Sequence, residues 1–439
     1  METLDLLRSG QLAGIKRLDL AAELTQFPPE ILDLADSLEV LNLTNNRLQA
    51  LPDELGRLKN LKIIFLSNNE FEELPEVLSD CPSLSMIGFK SNRIRTIAEN
   101  ALPDSVRWLI LTDNQLEQLP ATMGRLVNLQ KLMLAGNRLR SLPDAMAACQ
   151  NLELIRLSAN CLPSLPSWLF TLPRLSWLAY SGNPFCEAMP ASLERSLPDI
   201  DWAELTLGDT LGEGASGIIS RGIWQTGPSD AVDVAVKVFK GNVTSDGLPA
   251  DERNTCLAAG THNHLVNVLG KLINHPEEKA GLVFSFIPPN YKTLGWPPSL
   301  DSCTRDIYPQ GTCFSWPVVL RIAQGMATAA AHLHARGIMH GDLYAHNILV
   351  NETGDSLLGD FGAASFYPAS ELVAGEVLEA LEVRAFGCLL EDLLNHCLVA
   401  GVAEQERYDR LRQLQQDCMN PIPCERPLFT KICNTLYAL

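Results

Sequence analysis

A chain of 439 residues is long enough for two or three domains, and its 46% apolar and 6% aromatic content suits ordinary globular domains. Its net charge of −18 is spread over both halves: residues 1–200 carry 18 basic and 24 acidic residues (−6), the remainder 16 and 28 (−12). Such a surface repels phosphate backbones and acidic bilayers, which argues against nucleic acid or membrane as a partner. The opening METLDLLRSGQLAG lacks a basic segment followed by an apolar run, and no uninterrupted apolar stretch is long enough to span a bilayer, so a cytoplasmic location is expected. The 12 cysteines show no C-x-x-C spacing and read as reduced thiols. All eight histidines follow residue 260, and the pairs His262/His264 and His332/His334 lack companion ligands, so they read as structural.

The first half repeats itself. The pattern L-x-x-L-x-L-x-x-N-x-L occurs at Leu38, Leu41, Leu43, Asn46 and Leu48. It returns at Leu61 and Leu84, then at Val106, Leu129, Leu152 and Leu175, with a degenerate copy at Ile15 where Glu23 stands for the asparagine. The step is 23 residues, except 22 between Leu84 and Val106, and most copies continue with a variant of L-P-x-x-L, as at Leu51-Pro52. Seven asparagines in register make this highly specific. Over roughly residues 15–197 the chain strongly resembles the leucine-rich repeat family. Each unit offers one short strand that cannot bury its apolar face alone, so stacked units close a continuous core with a parallel sheet on the concave side. The asparagine, where the chain leaves the strand, is suited to bond backbone groups that would otherwise lack partners.

Strand side chains alternate, so the residues flanking the central apolar position are expected to face the concave surface. They are Ile63, Phe65, Met86, Trp108, Ile110, Met133, Leu154 and Trp177, a stripe rich enough in large apolar groups to suggest a bound protein partner or a docking site for the second half. A register shifted by one would make them core instead. Beyond the last repeat, expected to end near Pro190, SLERSLPDIDWAEL brings Ile200 and Trp202 to the seam without a Gly/Ser linker, which predicts packed rather than tethered domains.

The second half carries phosphate-handling signals. Gly212-x-Gly214-x-x-Gly217 lies between strand-like runs, as in a hairpin whose backbone N–H groups approach phosphate oxygens. Val234-Ala235-Val236-Lys237 follows, then a helix around ADERNTCLAAG and the segment His262-Asn263-His264-Leu265-Val266. After GLVFSFIP, a loop of residues 288–315 and a helix from Trp316 to Arg336 comes His340-Gly341-Asp342-Leu343-Tyr344-Ala345-His346-Asn347, and then Asp360-Phe361-Gly362. Near the C-terminus stands Glu425-Arg426-Pro427.

Residues 205–439 resemble the protein kinases, through V-A-I-K, H-R-D-L-x-x-x-N and D-F-G in order and at workable spacing. The resemblance implies an ATP site lined by Leu211, Gly212, Gly214, Gly217, Ile219, Ala235, Lys237 and Glu252. Phe284 would be the gatekeeper and Ser285, Phe286 and Ile287 the hinge facing adenine. Lys237 would neutralise the α- and β-phosphates and pair with Glu252, or with Asp251 as second candidate. Asp342 would orient the hydroxyl nucleophile and accept its proton, and Asn347 and Asp360 would hold Mg²⁺.

The pattern also breaks. Gly341 replaces the arginine that in the family reads an activation-loop phosphate, and Tyr344 replaces the lysine common in serine/threonine kinases. Glu382 stands where the family has an aspartate. No A-P-E is present, Ala374-Gly375-Glu376 being the nearest remnant, with Glu376 or Glu379 as candidate partners for Arg426. The expected architecture is an α/β leucine-rich-repeat solenoid (1–197) plus an α+β bilobal protein-kinase-like domain (205–439). The expected activity is ATP- and Mg²⁺-dependent protein phosphorylation, serine/threonine first although the loop does not fix the acceptor. The alternatives are a nucleotide-binding pseudokinase scaffold and a small-molecule phosphotransferase.

Overall fold

The repeats are built rung upon rung. The computed structural model describes residues 3–186, 197–227, 229–241, 243–367 and 372–439, the side chains of 372–374 excepted. The expected end of the repeats near Pro190 lies outside the described residues. The strands Arg17–Asp19, Val40–Asn42, Ile63–Phe65, Met86–Gly88, Trp108–Ile110, Lys131–Met133 and Leu154–Arg156 pair in parallel, in chain order. Their central residues, from Leu18 and Leu41 through Ile64, Ile87, Leu109 and Leu132 to Ile155, fall in one register and are all buried. That column is the core that no single rung could close.

The asparagines form a buried ladder. Asn137 accepts from the Leu116 amide at 3.1 Å through Oδ1 and donates through Nδ2 to the Leu111 and Leu134 carbonyls at 2.8 and 2.9 Å. Asn69, Asn92, Asn114, Asn160 and Asn183 repeat this pattern of accepting one amide from the preceding turn. The residue before each asparagine takes a positive φ: Asn45, Asn68, Ser91, Asp113, Gly136, Ala159 and Gly182. The left-handed kink turns the chain off the strand and presents the asparagine inward. Where L-P follows, a single 3₁₀ turn begins just after the proline, as at Asp53–Arg57 and Asp144–Ala148.

The stripe expected to face solvent does not do so. Ile63, Met86, Met133, Leu154 and Trp177 are buried, while Phe65, Trp108 and Ile110 are half-buried. Side chains of adjacent rungs cover one another in part. The Phe65 ring crosses Gly88, lying 2.7 Å from where a Cβ would stand, and Lys131 Nζ sits 4.2 Å over the Trp108 ring. Rungs stand only about 4.8 Å apart, so large groups in one row shield part of their neighbours, while Trp177 is covered by the Tyr344 ring.

The protein divides into two compact units: Met1–Arg174 with Asn183–Phe185, and Leu175–Gly182 with Cys186–Leu439. In the second unit a six-stranded sheet runs in the order Asp199–Asp201, Val268–Ile273, Gly281–Ser285, Ala231–Phe239, Gly217–Gln225, Leu205–Glu213. The segment read as a seam is therefore a strand. Ile200 is fully buried with Val234, Val236, Leu272 and Val283, and Trp202 packs against that cluster. Gly270 makes room for it, since a Cβ there would stand 2.6 Å from Ile200 Cδ1. Below the sheet lie the helices Trp316–His334, Leu372–Asn395, Val402–Cys418 and Phe429–Tyr437. Among the described residues no helix is long and apolar enough to cross a membrane.

The loop 288–315 is tied down by its own charges. Arg305 bonds Glu391 and Asp392, both at 2.6 Å. The ring nitrogens of the histidine group are engaged with backbone: His264 Nδ1 with Ser356 O, His332 Nε2 with Ala259 O, and His262 Nδ1 with the His264 amide.

Candidate active site

The strand Ala231–Phe239 has two faces because strand side chains alternate. Val234 and Val236 enter the core, whereas Ala235 and Lys237 point the other way. Lys237 pairs in register with Ile219 on the glycine hairpin and with Leu282 on the other side. Gly214 N donates to Gly217 O at 3.0 Å, which closes the hairpin tip. A Cβ on Gly217 would stand 2.6 Å from Val238 O, so glycine is required there, while Gly212 and Gly214 have open space around them. Leu211 is exposed and Ile219 half-exposed at the mouth of this hairpin.

Lys237 Nζ donates to Glu252 on helix Pro249–Ala259, and both side chains are buried. Asp251 turns instead toward Ser181. Burial opposes the charge on Lys237, but the carboxylates of Glu252 and Asp360 outweigh it and raise its pKa, so the amine stays cationic. Burial likewise pushes the Glu252 carboxyl up against the pull of Lys237. Phe284 lies opposite Ala235 and Val268 in the sheet, and Ser285 opposite Val234. Phe284, Ser285, Phe286 and Ile287 are all half-buried, with Arg221 stacked 4.8 Å over the Phe286 ring.

The segment around Asp342 is held from beneath by one buried carboxylate. Glu382 accepts from the His340 amide at 3.2 Å, from the Gly341 amide at 2.7 Å and from His334 Nε2 at 2.7 Å. Although burial favours the neutral acid, His334, His340 and the Gly341 amide hold this carboxyl below its usual range. His340 bridges onward: Nδ1 accepts from the Asp342 amide at 3.3 Å, and Nε2 faces Gly359 O at 3.0 Å. Asn347 Nδ2 donates to both the backbone carbonyl and the carboxylate of Asp342, each at 2.9 Å. Gly359 N in turn donates to Asn347 O at 3.0 Å, so Asp360 follows directly beside Asn347. Asp360 is exposed, has a φ of 53°, and accepts from the Gly362 amide at 3.1 Å. A Cβ placed on Gly362 would lie 3.2 Å from Asp360 Oδ1 and 3.9 Å from Glu252 Oε2, which puts both carboxylates on one cleft.

Glu379 accepts from the Phe429 amide at 2.6 Å, and Arg426 donates to the carbonyls of Ala380 and Asn420. No motif marks Asp306, which takes the His346 ring nitrogen at 2.7 Å and its amide at 3.2 Å. It lies in the Pro- and Gly-containing loop 288–315, at no fixed spacing from any motif. Trp177 is buried with its ring stacked on Tyr344, centroids 4.2 Å apart and planes 8° apart.

Residues 205–379 match the protein tyrosine and serine/threonine kinase family, and residues 36–94 and 127–185 match the leucine rich repeat family. Curated relatives include fibroblast growth factor receptor 1 of Pleurodeles waltl, 25% identical over 60% of this chain and 38% of that protein. The proline-rich receptor-like protein kinase PERK7 of Arabidopsis thaliana is 28% identical over 42% of this chain and 27% of its own length. The probable serine/threonine-protein kinase gdt4 of Dictyostelium discoideum is 26% identical over 55% of this chain and 16% of its own. The chain thus spans well under half the length of these relatives. Its two matched regions are, in order, leucine-rich repeats and a protein kinase domain.

Proposed function

We propose that the second unit is an ATP- and Mg²⁺-dependent protein kinase that transfers phosphate to a hydroxyl. The observation that carries this reading is the convergence of the Lys237–Glu252 pair, the Asp342–Asn347 pair and Asp360 from distant parts of the chain. Lys237, held cationic, is placed to neutralise phosphate oxygens beneath the glycine hairpin. Asp342, its carboxylate oriented by Asn347, is placed to align an acceptor hydroxyl and take its proton. Asn347 uses its amide nitrogen on Asp342 and keeps Oδ1 available, and Asp360 offers an exposed carboxylate. Two oxygen donors suit Mg²⁺, which takes its remaining ligands from phosphate and water. When bound there, the ion would supply positive charge that offsets that of the phosphate oxygens.

The serine/threonine preference is an extension of the same reading, as is the role of the repeats in recruiting a protein through the half-exposed Phe65, Trp108 and Ile110. A nucleotide-binding scaffold remains the second reading, because Tyr344 stands buried where the family has a phosphate-facing lysine.

The test is incorporation of label from γ-labelled ATP into the full chain, wild type against Asp342→Asn, with mass spectrometry of the acceptor. Transfer reduced by at least about 10³-fold is expected. Equal label in both proteins sinks the catalytic assignment, and Mg·ATP binding without transfer favours the scaffold. In the same preparations, Trp108→Ala should reduce co-purification of any protein substrate, and unchanged capture removes the recruiting surface.

A further inference from the structure

The eight residues Leu175–Gly182 are repeat in sequence, yet they lie in the second unit, against the loop that carries Asp342. The Trp177 ring stacks on Tyr344, and its Nε1 donates to the Leu343 carbonyl at 3.2 Å. Tyr180 N donates to Ser365 Oγ at 3.2 Å, three residues beyond Asp360-Phe361-Gly362. Arg384, on the helix that supplies Glu382, donates to Ser176 Oγ at 3.1 Å. One short strand is therefore tied to the catalytic loop, to the segment that follows the metal-side aspartate, and to the helix beneath both.

Gly341 belongs to the same contact. It has a φ of +73°, and a Cβ on it would stand 2.5 Å from the Leu178 carbonyl and 2.8 Å from the Ala363 carbonyl. Backbone on both sides leaves no room for a side chain, whatever its rotamer. The glycine that stands where the family has arginine is thus the residue that the strand's approach demands. Tyr344 follows the same logic, since its buried ring is the platform for Trp177. The contact does not cover the reacting groups. Asp342 stays half-exposed, Asp360 stays exposed, and the Lys237–Glu252 pair is closed.

Resting on the kinase reading above, we propose that the strand Trp177–Ala179 is a built-in brace, with Trp177 as a positioning residue. It holds the catalytic loop in the geometry that transfer requires, in place of an arginine at position 341 that could read a phosphate. A loop fixed by stacking and buried hydrogen bonds needs no phosphorylation to order it, whereas displacing Asp342 by an ångström would slow transfer by up to about 100-fold.

The experiment uses the full chain as wild type, Trp177→Ala, Trp177→Phe and Gly341→Ala, with two readouts. The first is hydrogen exchange of residues 338–347; the second is kcat and KM for Mg·ATP in autophosphorylation. Trp177→Ala should speed exchange in that segment and lower kcat about 10- to 100-fold, with KM for Mg·ATP within about twofold. Trp177→Phe, which keeps the stacked ring, should recover most of the rate, and Gly341→Ala should reproduce the Trp177→Ala defect from the loop side. Exchange that does not change in Trp177→Ala overturns the brace. So does a kcat that is equal or higher, which would make the strand a plug. A wild type that transfers nothing overturns the kinase reading and the catalytic part of this one together, recognisable because the exchange response to Trp177→Ala persists.

Discussion

The two units of this chain are specified in opposite ways. In the first, one device recurs: a buried leucine or isoleucine, a left-handed residue and an asparagine, each meeting its copy in the next rung. In the second, the parts of the site are each present once and come from positions as far apart as Lys237 and Asp360. Repetition gives stability that is shared among nearest neighbours. Convergence gives a site in which each member has one task and no substitute.

The difference predicts where each unit is vulnerable. The largest stability loss in the first unit should come from one rung of the ladder. Asn137→Ala would leave the buried Leu116 amide without its partner, while the Leu111 and Leu134 carbonyls each lose one of two donors and keep Asn114 and Asn160. A loss of about 1–3 kcal/mol is expected, read as lower denaturant resistance and faster hydrogen exchange in the flanking repeats. A loss below about 0.5 kcal/mol would mean that the ladder is ornamental.

Acid should distinguish the units with a smaller effect. All eight histidines lie in the second unit. Burial, with the nearby His332 and His264 rings, holds His262 down to about 4 from its ordinary 6.5. As pH falls through that interval the unfolded chain takes a proton that the folded chain refuses, so stability present above pH 6.5 is progressively lost toward pH 4. His262→Asn should flatten the decline in melting temperature across this window. A variant as acid-sensitive as the wild type would place the effect elsewhere.

This contrast also explains what could be read from sequence. The repeat register was legible because seven asparagines mark it. The convergence of Lys237, Glu252, Asp342, Asn347 and Asp360 was suggested by motif order, and the geometry gathers them. Three features were not legible. The exposure of the concave stripe depends on what neighbouring rungs cover, which alternation along one strand does not report; Phe65 lying over Gly88 is the example. Ile200 read as a seam because a three-residue strand has too few positions to show a period, and its parallel pairing to Val268–Ile273 is long-range. Asp306 and the Trp177–Tyr344 stack are tertiary meetings with no spacing rule at all. In sequence Gly341 is only a missing arginine, whereas in the fold the Leu178 carbonyl stands where its side chain would be.

The most direct test of the convergence is calorimetric titration of the full chain with Mg·ATP, wild type against Lys237→Met and Asp360→Asn. Both residues are predicted to face one bound triphosphate. Lys237→Met should weaken binding with or without Mg²⁺, and Asp360→Asn should weaken it only when Mg²⁺ is present, each by about tenfold or more. Wild-type affinity in both variants would contradict the account.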